Sequence, residues 1–403
     1  MADRQSIAAA AGPLGDDVRS DVHVAYDPGN QPLDIQITSK VDYLYGEAVH
    51  SAVLRVVDAF CVTTGRLAVT DMGALEWVLM ARVEACLLAA GFEGGPVLPE
   101  PAPGAASPPV RSRLRRSRLY IPGNRPKLML SAGLYGADGL IFDLEDSVPP
   151  SAKDEARLLV RNALVALDWG GSERMVRINQ GERGERDLAT IAPHHPQMVL
   201  LPKVEDPDQV RRAGVIAREG AGNDDAPLLM PILESPVGIH RAFEIATADE
   251  LVAALTLGLE DLSAELGAPR TDDGWESFLA RQTTVYAARA AGIQPIASVY
   301  SDIRDTEGLA AYVRRECGLG FDGIGCIHPG QIEVVHSEMT PSVHRVELAV
   351  TIVRAARLAE QKGLGAVAVG SKMVDPPVVK QAFRTVELAM AGGVLPADWD
   401  PND

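Results

Sequence analysis

Eight short apolar, β-branched runs recur between residues 117 and 329, most of them followed by a stretch with amphipathic helical spacing such as SAKDEARLLVRNALVAL. In chain order they read SRLYIP, GLIFDL, RMVRIN, QMVLLPK, PLLMPILE, VAALTLG, QPIASV and GIGCIHP. Near-continuous apolar runs of this length imply strands buried on both faces, the property of a parallel sheet covered by helices. Eight such units predict an α/β chain folded as a (β/α)8 TIM barrel. A doubly wound open sheet is the competing fold, and no G-x-G-x-x-G turn follows the first run to support it.

The segment GFEGGPVLPEPAPGAASPPV separates these repeats from what precedes them. Its Pro, Gly, Ala and Ser cannot bury enough apolar surface to fold, so it predicts a semi-extended linker. The chain then divides into a small module (10–91), a linker (92–112) and a large module (113–395). The small module has strand-like runs DVHVAY and LDIQITS, a helical stretch EAVHSAVLRVVDAFCV, a short strand RLAVTD and a second helix ALEWVLMARVEACLLAAG. This predicts two helices on a small sheet, an α+β fold without any cluster of catalytic residue types.

Charge narrows the function classes. A net charge of −17 speaks against nucleic acid as a partner, because phosphate contacts need clustered Lys and Arg. The first residues, MADRQSIAAAAGPLGDD, lack the basic and apolar regions of a signal peptide, and no apolar run is long enough to span a bilayer. Cys61, Cys86, Cys317 and Cys326 form no C-x-x-C pair and read as reduced thiols. The expectation is a cytoplasmic chain with no membrane contact.

In a (β/α)8 barrel the chemistry sits at the C-terminal strand ends. Those ends carry Asp143, Glu145 and Asp146 after the second run and Arg177 and Asn179 after the third. Lys203 and Glu205 follow the fourth, Glu234 the fifth, Glu260 and Asp261 the sixth, and His328 the eighth. Any one of these fits a chain simply surfacing into water. Carboxylates converging on one mouth, however, repel unless a cation neutralises them. Two carboxylates completed by water and substrate oxygens suit Mg²⁺, and Glu234 and Asp261, on adjacent strands, are the expected pair. Arg177 offers a planar fork for a substrate carboxylate. Lys203 reads as a strand-end salt bridge, to Glu205 or a neighbouring carboxylate, rather than a Schiff-base lysine, which needs a desolvated site.

The ordered motifs RSRLYIPGNRP, GLIFDLEDSV, VRIN, LLPKVE, ILESPVG, LGLEDLSAELG, GFDGIGCIHPGQI and GSKMVDPPVV resemble the citrate lyase beta subunit family over residues 113–395. The resemblance implies a Mg²⁺-dependent lyase that splits a 3-hydroxy-3-carboxy-acyl thioester (citryl, citramalyl or malyl) into a keto acid and an acyl thioester such as acetyl-CoA. The keto acid would be oxaloacetate, pyruvate or glyoxylate. It implies Glu234 and Asp261 as metal ligands and Arg177 as the holder of the keto-acid carboxylate. Asp143, Glu145 and Asp146 become an acidic motif beside the metal, with Arg116, Pro122, Gly123 and His328 on the substrate side. Asp375 matches an aspartate that does acid/base work across a subunit interface, which suggests a homotrimer or hexamer. An N-cap before Pro376 is the plainer reading of Asp375. The family's VDGKMVD is VGSKMVD here. The basic run RSRLRRSRLY either meets coenzyme A phosphates or ends the linker in solvent.

The small module is similar to the citrate lyase acyl carrier (gamma) subunit, through DVHVAYDP, LDIQITSKVDYLYGEAV and VTDMGALEWVLMARVEACLLAAG. That family bears a phosphoribosyl-dephospho-CoA arm on a serine. The matching segment here, AGPLGDDVRSDV, is longer and offers only Ser20, one place nearer the following aspartate. Three readings stay open. One is a free-standing lyase acting on CoA thioesters. Another is a citrate lyase component acting on its fused carrier beside an alpha-type transferase subunit. The third is a non-catalytic docking or assembly protein.

Overall fold

The computed structural model describes residues 6–361, 367–369 and 372–400. Gly370 and Ser371 of the GSKMVD motif lie outside the described residues. All eight apolar runs form strands: β5 (Ser117–Pro122), β6 (Gly139–Asp143), β7 (Glu173–Arg177), β8 (Met198–Leu201), β9 (Leu228–Leu233), β10 (Ala254–Leu257), β11 (Gln294–Val299) and β12 (Gly323–Cys326). Neighbours pair in parallel, and β12 closes onto β5, giving a closed (β/α)8 barrel rather than an open sheet. Ile141, Met175, Leu200, Met230 and Ile296 fill its interior, with Tyr120 packed against them. Helices pack outside, as between β6 and β7, where helix Lys153–Ala166 buries Leu159, Val160, Ala163 and Leu164. Gln209 reaches back to the Asp206 N–H in a capping box that starts helix Pro207–Ala221.

The small module places β1 (Ala9–Ala11), β2 (Val22–Pro32), β3 (Asp34–Ser39) and β4 (Thr64–Asp71) in the order β1-β2-β4-β3. Helices α1 (Asp42–Ala59) and α2 (Glu76–Ala89) cover it. Val22, Val24 and Tyr26 alternate inward on β2, opposite Leu67 and Val69 of β4. Strand β1 lies in an alanine run with no period-2 signal, which is why the sequence reading lacks it. α2 is buried on every side, including Arg82 and Glu84, because it is held between the sheet and barrel helix Lys153–Ala166. Each buried charge is paired: Arg82 with Asp21 at 2.8 Å and Glu155 at 2.9 Å, and Glu84 with Arg161 at 2.7 Å.

The linker carries no helix or strand, yet it is pinned to the barrel. The Ala102 N–H donates to Val165 O (2.8 Å), and Arg174 donates to Gly104 O (2.8 Å) and Ser107 O (2.9 Å). The described residues of 300–320 and 330–400 form a second compact unit, with helices Thr306–Leu319, Gly330–Met339, Val343–Gln361 and Pro376–Ala391. It also contains an antiparallel pair, β13 (Val367–Val369) and β14 (Lys372–Val374). Ala349, Val353, Val374, Ala382 and Val386 make its core.

Candidate active site at the barrel mouth

A cavity of about 380 Å³ opens among the C-terminal strand ends, and Asp143, Asp146, Arg177, Glu234, Glu260 and Asp261 all line it. Asp143 closes β6 and Arg177 closes β7, so the parallel register sets them side by side. The guanidinium donates Nε to Asp143 Oδ1 (2.6 Å) and Nη2 to Oδ2 (2.8 Å). Asp143 also accepts the N–H of Glu145 (3.0 Å) and of Ser147 (3.1 Å), which fixes the following loop. Burial works against the Asp143 charge, but the Arg177 hydrogen bonds and charge outweigh it and hold the carboxyl below its usual range. Burial likewise opposes the Arg177 cation, while Asp143 raises its pKa. The cation also lies 5.2 Å from the centre of the Tyr120 ring.

Two further acids crowd the outer end of Arg177. Its Nη1 is 2.9 Å from Glu145 Oε2 and 3.3 Å from Asp146 Oδ2. The Glu145 contact is misaligned, and its Oε2 has no hydrogen-bond partner although it is buried. Burial, with the Asp146 charge, raises the Glu145 pKa against the pull of Arg177 and the 2.9 Å hydrogen bond from Gln180. Lys153 donates to Leu144 O (3.0 Å) and Glu145 O (2.7 Å), and to Asn179 Oδ1, tying the acidic loop to β7. Asn179 is held in turn by Asp187 (2.7 Å).

Glu234 follows β9 and is 6% exposed. It accepts the Lys203 N–H at 2.7 Å and has Gly258 against it, where a Cβ would stand 2.5 Å from Glu234 Oε2. Lys203 itself adopts a φ of 48°. Burial first, then the Glu145 and Asp261 charges, push the Glu234 carboxyl up to about 8, despite the Lys203 hydrogen bond. Asp261 stands in the first turn of helix Leu259–Leu266, with the Lys203 ammonium 3.5 Å away. The partner of Lys203 is therefore Asp261. Burial of Lys203 is outweighed by the surrounding carboxylates, which raise its pKa and keep it charged. Glu205 is exposed, and its backbone N–H donates to Gln209 Oε1 (2.8 Å). Glu260 pairs with Arg270.

These residues fit a hard dication. The two carboxylates Glu234 and Asp261 line one cavity, and Glu234 is ionised there only at a cost that a positive ion would remove. Among the described residues no group of three or more His, Cys, Asp or Glu forms a ready-made metal site. Two carboxylates completed by water and substrate oxygens is the Mg²⁺ pattern, in contrast to the all-protein cages of structural metals.

Other residues singled out in the sequence lie elsewhere. Arg116 stands just before β5, at the opposite end of the barrel, where Asp138 engages it at 2.9 Å through both Nε and Nη2. Three more arginines of the basic run also find partners within the chain: Arg115 in Glu173 (2.7 Å), Arg111 in Val252 O (2.7 Å) and Arg113 in Gly171 O. The run leads into the bottom of the barrel from an exposed start at Arg111 and Ser112, in keeping with a linker end in solvent. Pro122 ends β5, and the Gly123 N–H donates to Asp143 O (2.8 Å), where a Cβ would clash with that same oxygen at 2.7 Å. Gly123 thus positions Asp143. His328 is exposed, next to the cavity-lining Ile327. Asp375 is exposed at the N-cap of helix Pro376–Ala391, without a side-chain capping bond. Ser20 is partly exposed, with a φ of 58° and its N–H donating to Met72 O (3.1 Å). The sequence reading missed Arg118, Tyr120 and Lys153. The first two sit inside an apolar run, where alternation alone could have flagged them as facing the barrel axis.

A closed barrel with the Glu234 and Asp261 carboxylates and an acid–arginine cluster at its mouth has the architecture of a TIM-barrel enzyme. Residues 116–329 match the family model described as HpcH/HpaI aldolase/citrate lyase, and the chain belongs to that family. Residues 9–90 match an acyl-carrier model described as malonate decarboxylase delta subunit (MdcD), where the motifs had pointed to the gamma subunit of citrate lyase. Citrate lyase subunit beta of Leuconostoc mesenteroides subsp. cremoris is 35% identical over 292 residues, 71% of this chain and 97% of the relative. Human mitochondrial citramalyl-CoA lyase is 33% identical over 68% of this chain and 85% of the relative. Among solved structures, the CitE protein of Mycobacterium tuberculosis in complex with magnesium, acetoacetate and coenzyme A superposes with a TM-score of 0.56. It is 33% identical and covers 70% of this chain and 99% of that one.

Proposed function

We propose that this chain is a Mg²⁺-dependent carbon–carbon lyase acting on a 3-hydroxy-3-carboxy-acyl thioester of coenzyme A. The observation that carries the reading is the convergence of Glu234 and Asp261 with the Asp143–Arg177 pair on one cavity at the C-terminal end of the barrel. Relatives named citrate lyase subunit beta and citramalyl-CoA lyase support it, as does a neighbour holding magnesium and coenzyme A.

The reaction is a retro-Claisen cleavage. The C3 hydroxyl gives up its proton and becomes the keto oxygen. The C2–C3 bond breaks, and its electron pair passes into the thioester as an enolate, which takes a proton at C2. Mg²⁺ held by Glu234 and Asp261 would act as a Lewis acid toward the hydroxyl and carboxylate oxygens. Asp143 locks the Nε–Nη2 edge of Arg177, so Nη1, beside the exposed Asp146, is the donor a substrate carboxylate would claim. The mouth carboxylates keep Lys203 charged and beside Asp261, as a positioning group rather than a nucleophile. Asp375 is the candidate proton donor, supplied by another copy in a trimer or hexamer, with a cytoplasmic location. Pro122, Gly123 and His328 remain on the thioester side of this reading.

The ion pairs of Arg82 and Arg161 hold the N-terminal module (10–91) against barrel helix Lys153–Ala166, which favours a fixed supporting part over a swinging carrier. An arm on Ser20 and an alpha-type transferase partner belong to the alternative. The test is keto-acid release from citryl-, citramalyl- and malyl-CoA with and without Mg²⁺. Release that requires Mg²⁺ supports the lyase on CoA thioesters. No release, together with a mass increment of a phosphoribosyl-dephospho-CoA arm on the Ser20 peptide, moves the reaction to the carrier.

A further inference from the structure

Arg118 lies on the inward face of β5, deeper in the barrel than Tyr120, and is 1% exposed, yet it lines the mouth cavity. Of the other buried arginines, Arg82, Arg115 and Arg161 face a carboxylate at 2.7–2.8 Å and Arg116 one at 2.9 Å, while Arg174 donates to the carbonyls of Gly104, Ser107 and His195 and Arg281 to Gly274 O and Ser277 Oγ. Arg118 faces no carboxylate. Its Nη1 meets the Met230 thioether (3.0 Å), and its Nη2 meets Thr256 Oγ1 (3.2 Å) and Ala297 O (3.4 Å). Its Nε has no acceptor at all. A thioether is a weak acceptor, and the Thr256 hydroxyl already donates to Ile296 O at 3.3 Å. A buried guanidinium with only neutral, partly committed acceptors is an expensive arrangement unless an anion completes it. The rim of the same cavity is acidic, with Glu234, Asp261, Asp143 and Asp146. The cavity is thus polarised, with anions and their metal at the mouth and a lone cation at the floor.

We propose that Arg118 is a specificity residue, forming a floor subsite for a second carboxylate of the substrate's keto-acid half. Resting on the lyase reading above, this selects thioesters whose C3 carries a carboxymethyl arm over those carrying methyl or hydrogen. The metal end takes the carboxylate and hydroxyl on C3, and the arm extends inward to the guanidinium fork. A methyl arm would leave that cation unpaired, which is where the discrimination originates.

The test is equilibrium binding of two keto acids to the full-length protein with Mg²⁺: oxaloacetate, a 2-keto dicarboxylate, and pyruvate, its monocarboxylate counterpart. The wild type should bind oxaloacetate at least ~10-fold more tightly. Arg118→Met, close in shape and uncharged, should abolish that preference and leave pyruvate binding unchanged. Arg118→Lys, which keeps charge without the fork, should retain part of it. Equal binding of the two acids by the wild type overturns the proposal even if no variant folds, and so does an undiminished preference in a folded Arg118→Met protein. Failure of the lyase reading is separately visible: it appears as no carbon–carbon cleavage of any thioester, with the binding preference intact.

Discussion

Arg161 and Glu84 meet fork to fork, Nη1 on Oε1 and Nη2 on Oε2, both at 2.7 Å, with each side chain 3% exposed. The pair joins α2 of the small module to barrel helix Lys153–Ala166. Removing one partner strands a buried charge, which costs about 3–5 kcal/mol. Glu84→Ala should therefore lower stability by about that amount in a denaturant titration. The double variant Glu84→Ala/Arg161→Met should lose less than the sum of the single changes, because no charge is left unpaired.

The Arg161 charge also bears on an acid-sensitive point of the barrel. Burial, followed by the Arg161 and His195 charges, pushes the His194 imidazole from 6.5 down to about 4. Between those values the unfolded chain binds a proton that the folded chain refuses. Stability should thus fall as pH drops through that window, and be unaffected above it. His194→Gln should flatten this part of the profile of thermal unfolding against pH.

Protons and Mg²⁺ should compete at Glu234. Burial and neighbouring carboxylates raise its carboxyl to about 8, so the metal-binding form is the minor one at neutral pH. Apparent Mg²⁺ affinity, measured by calorimetry, should rise as pH increases toward 8 and level off beyond it. Without metal the sign for stability is reversed. The folded state holds the Glu234 proton more tightly than the unfolded state, so stability declines as pH rises from 4.5 to about 8.

Arg177 should not tolerate lysine. A point charge cannot satisfy both Asp143 oxygens, and the acids crowding that corner would lose their shared partner. At a loss of roughly 3 kcal/mol, Arg177→Lys should lower kcat/KM about 100-fold. Steady-state kinetics on the best thioester checks this.

How much of this was legible beforehand follows from what each signal encodes. Strands β5 to β12 could be read because burial on both faces leaves uninterrupted apolar runs. Closure into a barrel followed from counting them. The Glu234–Asp261 and Asp143–Arg177 groupings came from one rule, that strand ends converge. The depth of a charge could not be read. Arg116 and Arg118 are two residues apart in one basic run, yet Asp138 neutralises the first below the barrel while the second points into the cavity. Nor does composition reveal pinning: the Pro- and Ala-rich linker has no periodicity, and its order comes from Arg174 and Val165 of the barrel. Lys153 reads as an ordinary helix-start residue, and only the tertiary fold brings it onto Leu144, Glu145 and Asn179.

The central claim is a metal-dependent cleavage centred on two carboxylates. The most direct measurement is keto-acid release from the best CoA thioester by the wild type, Glu234→Ala and Asp261→Ala, across a Mg²⁺ titration and after chelation. The account predicts turnover by the wild type that chelation abolishes and Mg²⁺ restores, and loss of that turnover in both folded variants. Release that survives chelation, or persists in either variant at the wild-type rate, would contradict it.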